Sequence, residues 1–256
     1  MDHAWLSHTT STLGVVVRNA DGALAEAPPS AWSDADLWDR EYSELCAIPS
    51  SYRTSPSHSF RRLEAVLKPF PGASVLDAGS GTGRHALYLA RQGCFVHAVD
   101  ASGAACEVLR DRAGSVDDLR RRITVEQAHL EVDAPPDARY DIVIDSYVSC
   151  HLLNDDARRC YLSGLRRLLR PGGALYTACM GADDEYYAAH ATDPAGPFSI
   201  ATDPLNGVAK LLQPRLLFRD GLSEFSRVEA VTTERFDDVV AGQTYGREVL
   251  AAVVRT

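Results

Sequence analysis

The segment Asp77-Ala78-Gly79-Ser80-Gly81-Thr82-Gly83 directly follows the apolar run Ser74-Val75-Leu76 and opens a helical pattern from His85 to Gln92. Glycine at every second position permits a tight turn and lets a ligand approach bare backbone. Amides at the start of the following helix then point toward that ligand. A second strand-like run, Phe95-Val96-His97-Ala98-Val99, ends in Asp100. A carboxylate there can accept two hydrogen bonds from ribose hydroxyls. Strand, glycine loop, helix, strand and terminal acid occur in that order, which predicts a nucleotide-type site on a βαβ unit.

The alternation continues along the chain. Ile123-Thr124-Val125, Tyr140 to Asp145 and Ala174 to Ala178 read as further strands, with helical patterns at Gly103 to Arg112 and Asp155 to Leu169. Continuous apolar strands between helices predict a parallel sheet covered on both faces. Near the end, Arg227 to Thr232 and Val249 to Val254 lack a crossover helix between them and should pair antiparallel. The expected fold is α/β, a doubly wound, mostly parallel seven-stranded sheet. Upstream, helices are predicted from Ser33 to Cys46 and from Phe60 to Leu67, with a turn-rich stretch at Pro49 to Ser59. Leu13 to Val17 leads into an Asp21-Gly22 hairpin turn, and Ala25 to Ser30 reads as a linker. Residues 181–204 read as an irregular lid insertion, and Asp203 to Phe225 as mostly helical. These features divide the chain into an extension and cap (1–57) and a core (58–256).

Composition narrows the partners. Of 256 residues, 45% are hydrophobic and 24% charged, as in soluble globular enzymes. The net charge of −9 disfavours a nucleic-acid backbone as partner. Only Lys68 and Lys210 are lysines, against 24 arginines. The six cysteines show neither Cys-x-x-Cys spacing nor a companion His-x-x-x-His pair, so reduced thiols and no metal centre are expected. No apolar run approaches the roughly 20 residues of a membrane span. The first residues lack a basic stretch followed by an apolar one, so a cytoplasmic location is expected.

The pattern Asp77-x-Gly79-x-Gly81-x-Gly83 resembles the first motif of Rossmann-like S-adenosylmethionine-dependent methyltransferases. The resemblance spans roughly residues 35 to 256 and includes Asp100-Ala101, the Tyr140-Asp141-Ile142-Val143-Ile144-Asp145 strand and Leu169-Arg170-Pro171-Gly172-Gly173. Trp38-Asp39-Arg40-Glu41-Tyr42 looks like the cap of the small-molecule branch. The resemblance implies strand order 3-2-1-4-5-7-6, with the last strand antiparallel. It implies S-adenosyl-L-methionine as cofactor, methyl transfer to a small organic acceptor, and no nucleic-acid or membrane partner. It places the Gly79 to Gly83 loop, Ser80 included, against the methionine part, Asp77 on its amino group, Asp100 on the ribose and Ala101 at the adenine. Asp145, ending strand four, joins the same set. After strand three many relatives carry an acid for the adenine amino group. Here Ala128-His129 stand instead, with Glu131 and Asp133 nearby, so backbone or His129 would make that contact.

Other candidates come from position and chemistry. Asp145-Ser146-Tyr147-Val148 lacks the Asn/Asp-Pro-Pro-aromatic motif of amino-methylating DNA enzymes. Tyr147 and His151 lie where a side chain can meet an acceptor's proton. Tyr52-Arg53 in the cap and Arg84 on the first core helix compete for the cofactor's carboxylate. Asp183-Asp184-Glu185 lacks a recognisable third metal ligand and is expected to be a solvated loop. Aromatics in the cap and insertion (Trp38, Tyr42, Tyr52, Tyr186, Tyr187, Phe198) suit the roof of a small apolar acceptor site. Two rival readings follow from the same loop. Gly81-x-Gly83-x-x-Ala86 fits the relaxed dinucleotide fingerprint of nicotinamide oxidoreductases, and a cofactor-binding protein of this fold need not transfer methyl groups.

Overall fold

The computed structural model of the protein describes residues 16–18, 24–26, 35–129, 140–192 and 198–256. Strands β1 (Val16–Arg18) and β2 (Leu24–Glu26) pair antiparallel, so Ala25 and Glu26 belong to a strand rather than to a linker. The expected turn at 19–23 and the remaining linker residues lie outside the described residues. Helix α1 (Ala35–Arg40) does not continue to Cys46 as a regular helix. It passes into a π-helical turn, Glu41–Leu45, closed by the Cys46 amide on the Glu41 carbonyl at 2.8 Å. The wider turn lets the Glu41 side chain fold inward. Helices α2 (Pro49–Tyr52) and α3 (His58–Leu67) complete the cap and lead into the core.

The core then alternates. In order come β3 (Ser74–Ala78), α4 (Arg84–Arg91), β4 (Phe95–Asp100), α5 (Gly103–Gly114), α6 (Asp117–Arg122) and β5 (Ile123–Gln127). They are followed by β6 (Tyr140–Ser146), α7 (Asp155–Leu168) and β7 (Leu169–Met180). After β7 the chain forms α8 (Glu185–Ala188), β8 (Ala191–Thr192), β9 (Ser199–Thr202), β10 (Ala209–Leu212) and α9 (Arg215–Asp220). It closes with β11 (Arg227–Val240) and β12 (Gln243–Arg255).

Seven strands form the main sheet in the order β5-β4-β3-β6-β7-β12-β11. Counted along the core this is 3-2-1-4-5-7-6, with β12 antiparallel to both its neighbours, the order that the family resemblance implies. Successive residues of one strand face opposite layers. Val249, Ala251 and Val253 pack with Phe60 of α3 and Leu89 of α4, whereas Leu250, Ala252 and Val254 pack with Tyr161 of α7 and Phe218 of α9. Both faces are therefore buried, which explains the unbroken apolar strands.

The stretch after β7 departs from expectation. It is an ordered insertion with its own antiparallel sheet, β10-β9-β8, and a small core of Tyr186, Tyr187, Ala201 and Leu212 against Val240. The expected helix over Asp203 to Phe225 is instead β10 followed by the single short α9. A four-residue apolar run fits either period. Here Gly207 turns the chain at φ +77° just before the strand, and Pro214 precedes α9 as its N-cap.

One buried carboxylate joins cap and insertion. Glu41 is fully buried and accepts bonds from the Ala47 and Ile48 amides, the Ser51 hydroxyl and, across the cleft described below, the Asn206 side-chain amide at 3.0 Å. Asp39 joins cap to core by accepting from Ser102 Oγ (2.6 Å) and the Ala104 amide (3.1 Å) at the start of α5. Replacing Glu41 with Ala leaves these donors buried and unfilled, so stability should fall by on the order of 3 kcal/mol. For a chain of this length that is roughly 6–12 °C in Tm. A thermal melt unchanged from wild type would contradict the tie.

Candidate active site

The carboxyl ends of β3, β4, β6 and β7 open beneath the cap and insertion into a cleft of about 180 Å³. In an open α/β sheet this is where ligands bind. Its first wall is the glycine loop. Gly79 and Gly81 have φ of +62° and +53°, conformations costly for any residue with a side chain. There is also no room for one. A Cβ on Gly81 would meet the Tyr42 hydroxyl at 2.8 Å, and one on Gly79 would collide with Val148. Gly83, at φ +87°, is the N-cap of α4.

Asp100 fixes this loop from the neighbouring strand. Its Oδ2 accepts the Gly81 amide at 2.7 Å and its Oδ1 the Ser102 amide at 2.9 Å. Burial raises its carboxyl above the ordinary value, and those amides oppose the rise. Asp77 lies deeper, 1% exposed, and its Oδ2 has no hydrogen-bond partner. Burial pushes this carboxyl up to about 7, against the lowering effect of the Ala86 amide and Arg84. Arg84 lines the cleft with its guanidinium 5.5 Å from the centre of the Tyr147 ring, and it makes no ion pair among the described residues. Arg53 also reaches the cleft, but Asp238 holds it at 2.7 Å.

Asp145 shapes the second wall from behind. It is fully buried and accepts from Thr177 Oγ1 at 2.6 Å and from the Val148 and Ser149 amides. The bend it anchors leaves Tyr147 at φ +69°, an unusual conformation for a bulky residue, with its ring in the cleft. Beyond it, His151 stacks edge-on against Trp38, with ring centres 5.0 Å apart. Its Nδ1 lies 3.1 Å from the Ala209 carbonyl, which can only accept, so Nδ1 carries the proton and Nε2 keeps a lone pair. Burial, with Lys210 nearby, lowers the His151 pKa to about 3.

The structure thus brings Arg53, Gly79, Arg84, Asp100, Ala101, Ala128, His129, Tyr147 and His151 to one cleft. Asp77, Ser80, Gly81, Gly83 and Asp145 form the layer supporting it. Tyr52 stands apart from the lining residues and is 47% exposed. Glu131 and Asp133 lie outside the described residues. The Asp183-Asp184-Glu185 run is not a solvated loop throughout. Asp184 is fully buried, accepting from Arg247 at 2.8 Å and capping α8 through the Tyr187 amide. Sequence reasoning missed Lys210, Met180, Phe236 and Arg247 in the lining. For Lys210 a signal existed: it is one of only two lysines and interrupts an apolar run, Val208 to Leu212.

Known proteins resemble the chain in the same region. Residues 75–173 match a family model described as a methyltransferase domain. Among curated relatives, a cypemycin N-terminal methyltransferase from Streptomyces sp is 30% identical over 57% of this chain and 58% of its own length. A ubiquinone biosynthesis O-methyltransferase from Chelativorans sp. (strain BNC1) is 28% identical over 49% and 47%. An S-adenosyl-L-methionine-dependent Diels-Alderase from Talaromyces variabilis is 32% identical over 45% and 40%. The chain thus spans about half the length of the curated relatives it matches. The fold is shared with Burkholderia thailandensis 1,6-didemethyltoxoflavin-N1-methyltransferase, solved with bound S-adenosylhomocysteine (TM-score 0.58, 21% identity, 87% and 86% covered). It is shared too with a structure described as converting a disulfide bond into a thioacetal group during echinomycin biosynthesis (TM-score 0.62, 24% identity, 87% and 92% covered).

The buried Asp77 carboxyl has a measurable consequence. An acid whose pKa is higher in the folded than in the unfolded chain stabilises the fold only while protonated. That contribution is full below about pH 4 and is lost as pH rises through 7, a cost of up to about 4 kcal/mol. Asp77→Asn stays neutral throughout. Its Tm relative to wild type should therefore climb between about pH 4 and pH 7 and then level off. Parallel melting curves across that window would contradict the burial argument.

Proposed function

We propose that the protein is an S-adenosyl-L-methionine-dependent methyltransferase acting on a small organic acceptor. One observation carries this reading: around a single glycine loop lie an orphaned, buried carboxylate oxygen on Asp77 and a guanidinium on Arg84 that makes no ion pair among the described residues. These complement an ammonium and a carboxylate, the two charges of an amino-acid group. Asp77 would hold the amino group, and the loop from Gly79 to Gly83, with Ser80, would carry the methionine part. Asp100 would take the ribose hydroxyls on lone pairs left free by its two amides. Ala101, Ala128 and His129 would border the adenine. Arg84 fits the carboxylate better than Arg53, because Arg53 is already engaged by Asp238.

The bound cofactor supplies a methyl carbon activated by its sulfonium, so the protein's task is to align the acceptor and exclude water. Cap and insertion roof the cleft for that purpose. His151 is a positioning residue in this scheme: a group held neutral down to about pH 3 stores no proton near neutrality, but Nε2 can accept a hydrogen bond. Tyr147 would form the floor between the two ligands, and Asp145 acts through it by fixing the bend. An acidic chain suits a small acceptor better than a nucleic acid. Relatives named for ubiquinone and toxoflavin-type acceptors support the same class. All six cysteines are free thiols, which supports a reducing, cytoplasmic setting. No helix among the described residues is long and apolar enough to cross a membrane.

Calorimetry with S-adenosylhomocysteine tests the assignment. Asp100→Ala removes hydrogen bonds to a charged group worth about 1.5–3 kcal/mol each, so affinity should fall at least about tenfold with cooperative unfolding retained. Arg84→Met should cost more affinity than Arg53→Met. Unchanged binding in folded Asp100→Ala, or a larger loss in Arg53→Met, would contradict these roles.

A further inference from the structure

Lys210 is a buried cation of the cleft that the scheme above does not use. The residue lines the cleft, is only 3% exposed, and its ammonium has no hydrogen-bond partner. It forms an ion pair with Asp203 Oδ2 at 3.6 Å, longer than a hydrogen bond, and that carboxylate is already committed to other donors. Its Oδ1 accepts the Tyr186 hydroxyl (2.9 Å) and the Leu205 amide (3.0 Å), and its Oδ2 accepts the Tyr187 hydroxyl (3.1 Å). Two other cations of the lining, Arg53 and Arg247, each hold a carboxylate at hydrogen-bond distance. Lys210 is the one of the three without a partner at hydrogen-bond distance. Leaving its donors unfilled in a buried site is costly, and a charged donor is best satisfied by a negative oxygen.

The surroundings specify what carries that oxygen. The ammonium lies 4.6 Å from the Tyr187 ring centre and 6.0 Å from that of Trp38, and Met180, Phe236 and Val249 complete the apolar wall. A flat apolar body fits such walls. Ionisation of a hydroxyl there must be driven by the site's charge, because His151 cannot keep the proton. The adjacent Cys150 thiol, pushed up to about 12 by burial, stays neutral as well. Facing Lys210 are Asp203, Arg247, Cys150, His151 and the two aromatic rings; burial lowers the Lys210 pKa and the Asp203 carboxylate opposes that fall. Strand β10 sets both partners: the Ala209 carbonyl orients His151, and the next residue delivers the ammonium.

We propose that Lys210 selects the acceptor, taking a small aromatic hydroxyl compound as its oxyanion. The hydroxyl proton passes to solvent on binding, and the resulting negative oxygen pairs with Nζ while His151 Nε2 remains unprotonated. The word acceptor rests on the methyltransferase reading; the oxyanion site does not.

The probe is 4-nitrophenol, whose phenolate form is read by absorbance, with 4-nitroanisole as its uncharged ether, each titrated with and without S-adenosylhomocysteine. Bound nitrophenol should ionise about one pH unit or more below the free compound. Nitroanisole should bind at least about tenfold more weakly. Lys210→Met should abolish the pH shift, Lys210→Arg should keep part of it, and both should bind S-adenosylhomocysteine as wild type does. An unshifted or raised midpoint, equal binding of the ether, a shift that survives in Lys210→Met, or no nitrophenol binding at all would overturn the proposal. A shift lost in Lys210→Met, in a protein that ignores S-adenosylhomocysteine, would uphold the oxyanion site and reject the methyltransferase reading.

Discussion

The bond from the Gly81 amide to Asp100 Oδ2 is the contact on which the rest of the cleft depends. It ties the loop after β3 to the tip of β4 and holds the loop in backbone conformations that glycine tolerates best. Once the loop is held, its bare faces become sockets. Tyr42 of the cap fills the one at Gly81, and Val148 after β6 fills the one at Gly79. Cap, loop and second wall are thereby positioned by the same short segment. The parallel sheet beneath supplies rigidity, since alternate residues of its central strands pack into cores on both faces.

Buried charge is the second organising constraint, handled differently at each site. Glu41 and Asp145 are buried with every oxygen supplied by donors, so they act as fasteners between segments. Asp77 and Lys210 are buried with unfilled hydrogen-bonding capacity, Asp77 at the end of β3 beneath the glycine loop and Lys210 in the cleft lining. A fold accepts such groups at a cost in stability, and that cost is usual at functional sites. His151 lies between these cases: it makes one bond through Nδ1, and burial keeps it neutral. On the proposed roles, Asp77 and Arg84 would serve the amino-acid group and Lys210 the acceptor oxygen.

Much of this was legible from residues alone, and the limits have physical causes. The glycine spacing and the acids at Asp77 and Asp100 marked the loop because few other reasons place four such residues between strand and helix. The antiparallel pairing of the last two strands is legible because they lack a crossover helix, whereas the strand order is what the family resemblance implies. The insertion was read poorly. Val208 to Leu212 is too short to separate strand from helix by period, and its sheet partner lies in a segment of similar ambiguity. Lys210 was lost with it, since a lysine on a supposed helix reads as solvated. Asp184 was misread for a related reason: its burial depends on Arg247, distant in sequence and adjacent only once β12 is placed. The π-helical turn at Glu41 was hidden because its five residues look like ordinary helix formers.

The central claim is that the glycine loop, Asp77, Asp100 and Arg84 together accept the amino-acid and ribose parts of S-adenosyl-L-methionine rather than a dinucleotide. Isothermal titration of the wild-type protein with S-adenosylhomocysteine and, separately, with NAD tests it most directly. The account expects saturable one-to-one binding of the homocysteine compound and no measurable heat from NAD. Saturable NAD binding with no response to S-adenosylhomocysteine would contradict it.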